Sequence, residues 1–349
     1  MIAEILLVLA GHDSSLFQGS TINPLFTPLL HPGEQQTLEA LALTATRYRR
    51  VRSFCNSALD SKNRYICALC STLNSILKSE YESLIVDIEA KILGQDGAFV
   101  GPGSFVSISS VRAMFAEWDA PLKALELFVG RLEEQSEWHP GPLIDLLLER
   151  ANSGVDAVSS LFSRVSIAVQ KLWLADLSAF LIYGTVSSVL PIAVEKPSSS
   201  WTSALTYVLR DGAMPSCVSS QTRESIVYVG RAVATIKAVR DSKQFPRSMA
   251  IQHAKLLDGA YPQDRHVFDR VIGDVRGNVS EWLWLNVLTR EDVADAVESL
   301  RVHAKLLHND PAEIYIRRSG RTTFCCATES LVLPSSGWFV RRVVLVIIQ

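Results

Sequence analysis

The sequence predicts an all-α protein made of stacked helical bundles, and three observations carry that expectation. Its 18 glycines and 14 prolines come to 32 of 349 residues, about 9% against the roughly 12% of average usage. Apolar residues recur at steps of three, four and seven along most of the chain, the spacing of one helix face. Apolar and polar residues alternate nowhere for more than a few positions before the last forty residues, so there is no strand signal of any length. A chain this long can bury ample core, and helical modules joined by short connections fit its pattern.

The elements follow in order. Ile2, Ile5, Leu6 and Leu9 lie on one helical face that Gly11 ends, and residues 14–32 form a loop rich in Ser, Thr, Asn and Pro. Leu30-His31-Pro32-Gly33-Glu34 is a helix start, with Pro32 in the first turn and Glu34 complementing the dipole. From there Leu38, Leu41, Ala45 and Tyr48 mark a helix running to about Leu59. A third helix carries Leu69, Leu73, Ile76, Leu77, Leu84, Ile88 and Ile92 in one stripe, and the glycine-rich stretch 94–103 follows as a loop. The next helix spans about residues 107–137, limited or kinked by Pro121. Residues 138–142 form a firm break, from which Pro142 opens a short helix to about Arg150. The longest and most apolar helix runs through Val158, Leu161, Phe162, Val165, Val169, Leu172, Leu177, Phe180 and Leu181 to Gly184. The Ser- and Pro-containing stretch from 187 reads as a linker, and helices are expected at about 223–240, 248–257, 264–288 and 290–307. Trp282 and Trp284, with Leu283 and Leu285, make the helix over 264–288 apolar nearly all round, as if buried between bundles or against a partner.

The predicted organisation is therefore N-terminal helical bundles over 1–186, a linker over 187–222, a further helical bundle over 223–308, and an atypical tail over 309–349. Between Arg317 and Gln349 in that tail, Arg317, Arg318, Arg321, Arg341 and Arg342 against Glu329 give a charge of +4, so the residues before Arg317 carry −6 of the net −2. Its β-branched run Val343–Ile348 is the kind of segment that pairs as a strand.

Composition and motifs remove most function classes. Near-neutral charge is not the broad basic face of a nucleic-acid binder. Glu4 interrupts the apolar start, no basic residues precede it, and no cleavage site follows, so a secretory signal is not expected. Six cysteines without framework spacing read as reduced thiols. Cys67-x-x-Cys70 lacks the second pair that would close a zinc site, and its place in a helix stripe suits two buried cysteines. The seven histidines are scattered without HExxH, there is no G-x-S-x-G elbow, and Gly101–Ser104 lacks the lysine of a phosphate loop. Glu133-Glu134 and Glu291-Asp292 are adjacent on helices and point apart, as solvated faces do. No catalytic, cofactor-binding or metal site emerges, and the expected role is not enzymatic.

Several segments resemble the gamma-tubulin complex component family, and within it component 4. Met1–Gly11 (MIAEILLVLAG) is similar to the family's opening, and Leu30–Glu34 to its "hLHPxE" helix start. Ser71–Leu77 with Tyr81 and Ile88–Leu93 resembles its third-helix pattern. Leu177–Gly184 is similar to its "QLxxWhhxG" helix end, with Asp176 where Gln is usual and Phe180 where Trp is usual. Pro215–Val218 resembles its "LPSYI" turn, and Ile226–Ala232 (IVYVGRA) its "KILFVGEAV" stretch. The six lie in the family's order, and the resemblance runs from residue 1 to about 300.

The resemblance implies the N-terminal (GRIP1) half of such a component: helical bundles that lie side by side with neighbouring components in the cone that templates microtubules. It implies other complex components as lateral partners, gamma-tubulin only indirectly because the family holds it mainly through the C-terminal half, and neither nucleic acid nor membrane. The implied place is the cytoplasm and cytoskeleton, at a microtubule organising centre such as a spindle pole body or centrosome. Glu34, Arg47, Arg50 and Arg52 are the candidate interface residues, as charges on the first helices. A component 5- or 6-like member, or a divergent helical adaptor, is the alternative. The family pattern continues with a helix resembling "DYFLLGRGEF", and Thr322–Glu329 can be back-translated so that a shifted frame reads DFLLRDGE. The residues after about Leu307 are accordingly expected to come from a frameshift or a retained intron. A dominant spliced transcript encoding them would contradict that.

Overall fold

A computed structural model describes residues 1–286, except 98, 102–104, 136, 188, 197–205 and 239–245, together with Glu298. Helix α1 (Ile2–Leu9) packs on α2 (Pro32–Ala58), after a short hairpin of β1 (Phe17–Gln18) and β2 (Thr21–Ile22). His31 caps α2: its Nδ1 accepts the Gly33 amide while the Glu34 carboxylate accepts the His31 amide, so two orphan donors are met reciprocally. Asn63 caps α3 (Arg64–Ile76) through the Tyr65 amide.

The expected single third helix is one continuous rod, but Leu77–Glu82 within it is π-helical before α4 (Ser83–Leu93) resumes. The wider turn shifts the register of everything after it. Tyr81, Ile85 and Ile88 are therefore the buried positions, and Leu84, expected in the stripe, is only partly covered.

A hairpin of β3 (Val100–Gly101) and β4 (Phe105–Val106) leads to α5 (Ile108–Phe115). The break expected at Pro121 falls earlier, in a 3-10 turn at Ala116–Trp118. Pro121 sits in the first turn of α6 (Asp119–Glu133), where its missing N–H needs no partner. Likewise Pro140, rather than Pro142, opens α7 (Pro140–Ala151).

Helix α8 (Asp156–Tyr183) is the axis of the molecule, touching α3, α6 and α7 and, beyond the expected linker, α9 (Ser220–Ala238) and α10 (Arg247–Leu257). By length and composition it is apolar enough to cross a membrane. Here that apolarity is taken up by protein: Leu161, Phe162, Val165, Val169, Trp173, Leu177, Phe180 and Leu181 are buried. Its buried Gln170 is satisfied by Ser166 and Gln263. Gly184 ends it at φ +61, the left-handed cap that glycine adopts freely.

The described residues of 187–222, expected as a linker, are built into the fold. They hold an antiparallel pair, β5 (Ala193–Lys196) and β6 (Thr206–Leu209), whose Tyr207 carbonyl receives the Arg231 guanidinium of α9. Helix α11 (Arg265–Asn286) then packs on α9 and α10. Of the two tryptophans expected to be buried together, Trp282 is in the core, but Trp284 is 53% exposed because the two point to different sides of α11. One contiguous apolar cluster runs from Ile5 to Val279, so the described helices share a single core. Apart from Glu298, the helix expected at 290–307 lies outside the described residues, as does the tail over 309–349.

Candidate protein-interaction surface

The described residues contain no group of three His, Cys, Asp or Glu placed to hold a metal ion. One cleft beside α2 and α6 is lined by Phe54, Ser57, Ala58, Asn63, Leu132 and Trp138 among others, with no acid or base, and a second is lined by Arg49, Arg50 and Glu133 among others. Cys70 is buried, and a hydrogen bond to Cys55 and burial both push its thiol pKa up. Cys67, expected to be buried, is half-buried, and its thiol points at the carbonyls of Ala58, Leu59 and Ser61. Burial raises its pKa too, so neither sulfur is activated as a thiolate.

What the N-terminal bundle does build is a set of arginine–carboxylate clamps between helices. Arg47 on α2 donates to Glu126 on α6 at 3.3 Å, and only 15% of its side chain is exposed, so the expectation of an exposed charge fails there. Arg50, 47% exposed, reaches Glu126 at 3.6 Å and Glu133 at 3.3 Å. One helical turn separates the two arginines, so they present one edge of α2 to one edge of α6. Arg52 faces the other way. It donates to the Tyr48 hydroxyl and the Ala10 carbonyl, and lies 3.6 Å from Glu82. Glu34 is the capping residue already described. Each of the four candidates thus has a partner inside the chain, and the structure brings Arg47 and Arg50 together but separates Glu34 and Arg52 from them.

Sequence reasoning missed the π segment, which organises the other side of α2. Its Tyr81 is fully buried, stacked on Tyr48 with centroids 4.5 Å apart and edge-on to Phe115 and Trp118. The Tyr81 hydroxyl donates to the Leu9 carbonyl, which ties α1 to the bundle. Tyr48 donates to Glu82 at 2.5 Å, and burial, then that carboxylate, hold its pKa above the ordinary tyrosine value. Glu80 receives both terminal nitrogens of Arg164 on α8. The signal was only the run of polar residues, Lys78 to Glu82, in the middle of an apolar stripe. Replacing Tyr81 with phenylalanine should cost about 1–3 kcal/mol, because the buried Leu9 carbonyl loses its side-chain donor. Urea unfolding of both proteins checks this, and an unchanged midpoint would mean the hydroxyl carries no such weight.

Three of the motifs quoted above prove to lie at contacts between elements. Phe180 lies against Gly230, where an added Cβ would come within 2.0 Å of the ring. Gly184 meets Ala234 one turn further along α9. The Leu177–Gly184 and Ile226–Ala232 motifs are therefore the two sides of one helix crossing. In the Pro215–Val218 turn, the Ser216 amide and hydroxyl both donate to Asp145 of α7. Arg223 donates to the carbonyls of Pro215 and Val218. Beside that turn, Gly141 has no room for a side chain: a Cβ would stand 2.4 Å from the Met214 carbonyl oxygen.

Comparison with known proteins agrees with this architecture. The family model described as gamma tubulin complex component N-terminal matches residues 2–291. Among curated proteins, gamma-tubulin complex component gfh1 of Schizosaccharomyces pombe is 28% identical over 141 residues, which cover 38% of this chain. The matched stretch spans 24% of that relative's length.

Proposed function

The chain belongs to the gamma-tubulin complex component family through its N-terminal domain, and on that premise we propose that it is a non-catalytic scaffold placed side by side with other components in the assembly that nucleates microtubules. The observation that carries the reading is the coincidence of the family match over 2–291 with one continuous helical core. The Leu177–Gly184, Pro215–Val218 and Ile226–Ala232 motifs hold α7, α8 and α9 together rather than lining a reactive cleft. Residues 1–186 supply the lateral surfaces in this reading, with the exposed rims of the Arg50 and Arg52 clamps and of Glu34 at their edge. Such surfaces are broad, with few anchors inside a polar rim. Cytoskeletal location at a microtubule organising centre follows from the same reading.

Deleting 1–186 would remove α8 and with it the shared core, so the test uses the whole chain. The full-length chain, tagged and purified from its own cells, should bring down other gamma-tubulin complex components in near-constant proportion, detected by quantitative mass spectrometry. Purification that yields the chain without any of them contradicts the scaffold reading.

A further inference from the structure

Helix α4 carries an apolar face that the fold leaves outside its core. Val86, Ala90 and Leu93 follow one another at steps of four and three, within about 60° of arc at roughly 100° per residue. Val86 is 61% exposed, Leu93 is 77% exposed, and Ala90 is exposed between them. Ile85 and Ile88, on the other side of the helix, are buried. The solvent side of an amphipathic helix is normally its polar side. Here the polar residues stand at the edges instead: Asp87 on one flank and Glu89 on the other, both exposed.

Several carboxylates elsewhere in the N-terminal half are clamped by arginines. Glu80 and Glu82, one turn earlier, are taken up by Arg164 and Arg52, and Glu126 and Glu133 by Arg47 and Arg50. Asp87 and Glu89 make no ion pair among the described residues. Lys91, the one cation of α4, lies beyond Asp87 on the half-buried side. The stripe is thus an apolar ridge between two exposed carboxylates that stand outside any ion pair among the described residues, with Lys91 one turn after Asp87. That rim repels an anionic lipid surface and a nucleic-acid backbone, and attracts cations. A straight ridge at helical spacing is also the shape that pairs with another helix.

We propose that this face docks an amphipathic helix of a partner within the gamma-tubulin complex. Its apolar stripe covers Val86, Ala90 and Leu93, and Lys or Arg residues flanking that stripe meet Asp87 and Glu89. The inference rests on the proposed function and adds the anchor and the chemistry of its partner. Three side chains are less than a full interface, so the ridge is the buried centre of a larger contact.

The test places a benzophenone amino acid at Val86 in the full-length chain, purified with its complex and irradiated. The expected adduct joins Val86 to a helical segment bearing basic residues on both sides of an apolar stripe. With Asp87→Lys and Glu89→Lys together, the adduct should fall about tenfold, while the isolated chain keeps its melting temperature because both positions are exposed. A complex that is recovered but gives no Val86 adduct, an adduct to an acidic or extended segment, or a yield indifferent to the charge reversal overturns the docking face alone. A preparation with no complex member overturns the proposed function, and this inference with it.

Discussion

Trp173→Ala should lower the unfolding free energy by about 3–5 kcal/mol, the range of buried aromatic truncations. Trp173 lies in the middle of α8 with no exposed surface. Its indole packs on Phe268 of α11 at a centroid distance of 5.8 Å, and its Nε1 donates to the Ala213 carbonyl at 2.9 Å. Truncation leaves a cavity where α8 meets the C-terminal helices, and it orphans a carbonyl beside the Pro215 turn. Trp173→Phe separates the two effects: most of the ring volume stays and the donor goes, at a cost of about 1–3 kcal/mol. Denaturant unfolding followed by circular dichroism reads both. If the alanine variant loses less than about 1 kcal/mol, the shared core around α8 is not what holds the two ends of the chain together.

Gly230→Val should be of similar severity for the opposite reason. There is no room at that position. A Cβ would stand 2.0 Å from Cζ and 2.2 Å from Cε1 of Phe180. The ring cannot retreat, because Phe180 is 1% exposed and abuts Tyr207 edge-on at 5.6 Å. Overpacking of this kind typically costs about 1–3 kcal/mol and more when the ring is trapped. Shrinking the neighbour should return part of the loss, so Gly230→Ala combined with Phe180→Leu should be less destabilised than the two single variants added together. A Gly230→Ala protein as stable as the original would show that α8 and α9 do not cross this closely.

These two sites also show what the sequence discloses and what it conceals. The stripe of α8 and its end at Gly184 are visible in spacing and residue type, as is the helix start at Pro32 and Glu34, whereas the His31 cap is not. Each is local, set within one or two helical turns. Gly230 and Phe180 were quotable as motifs, but their meeting is a tertiary fact that no local pattern carries. The π segment escaped because one residue's shift in register leaves the apolar count unchanged while moving burial from Leu84 to Ile85. The β5–β6 pair escaped because two short strands look like loop until Arg231 and Tyr207 place them. Among the candidate interface charges, Arg47 looked free in sequence because its partner Glu126 lies 79 residues away. On α4 the sequence showed the stripe of Leu84, Ile88 and Ile92, and only the buried side of the helix shows that Val86, Ala90 and Leu93 form a second apolar face left over.

The central claim is membership in a working complex, and sedimentation tests it most directly. Extract from cells producing the tagged full-length chain is run on a sucrose gradient and probed for the chain and for gamma-tubulin. The account predicts that the chain travels with the large gamma-tubulin-containing species and shifts when that species is dissociated by salt. A chain that sediments only as a free 38.5 kDa protein, under conditions where gamma-tubulin complexes stay intact, would contradict it.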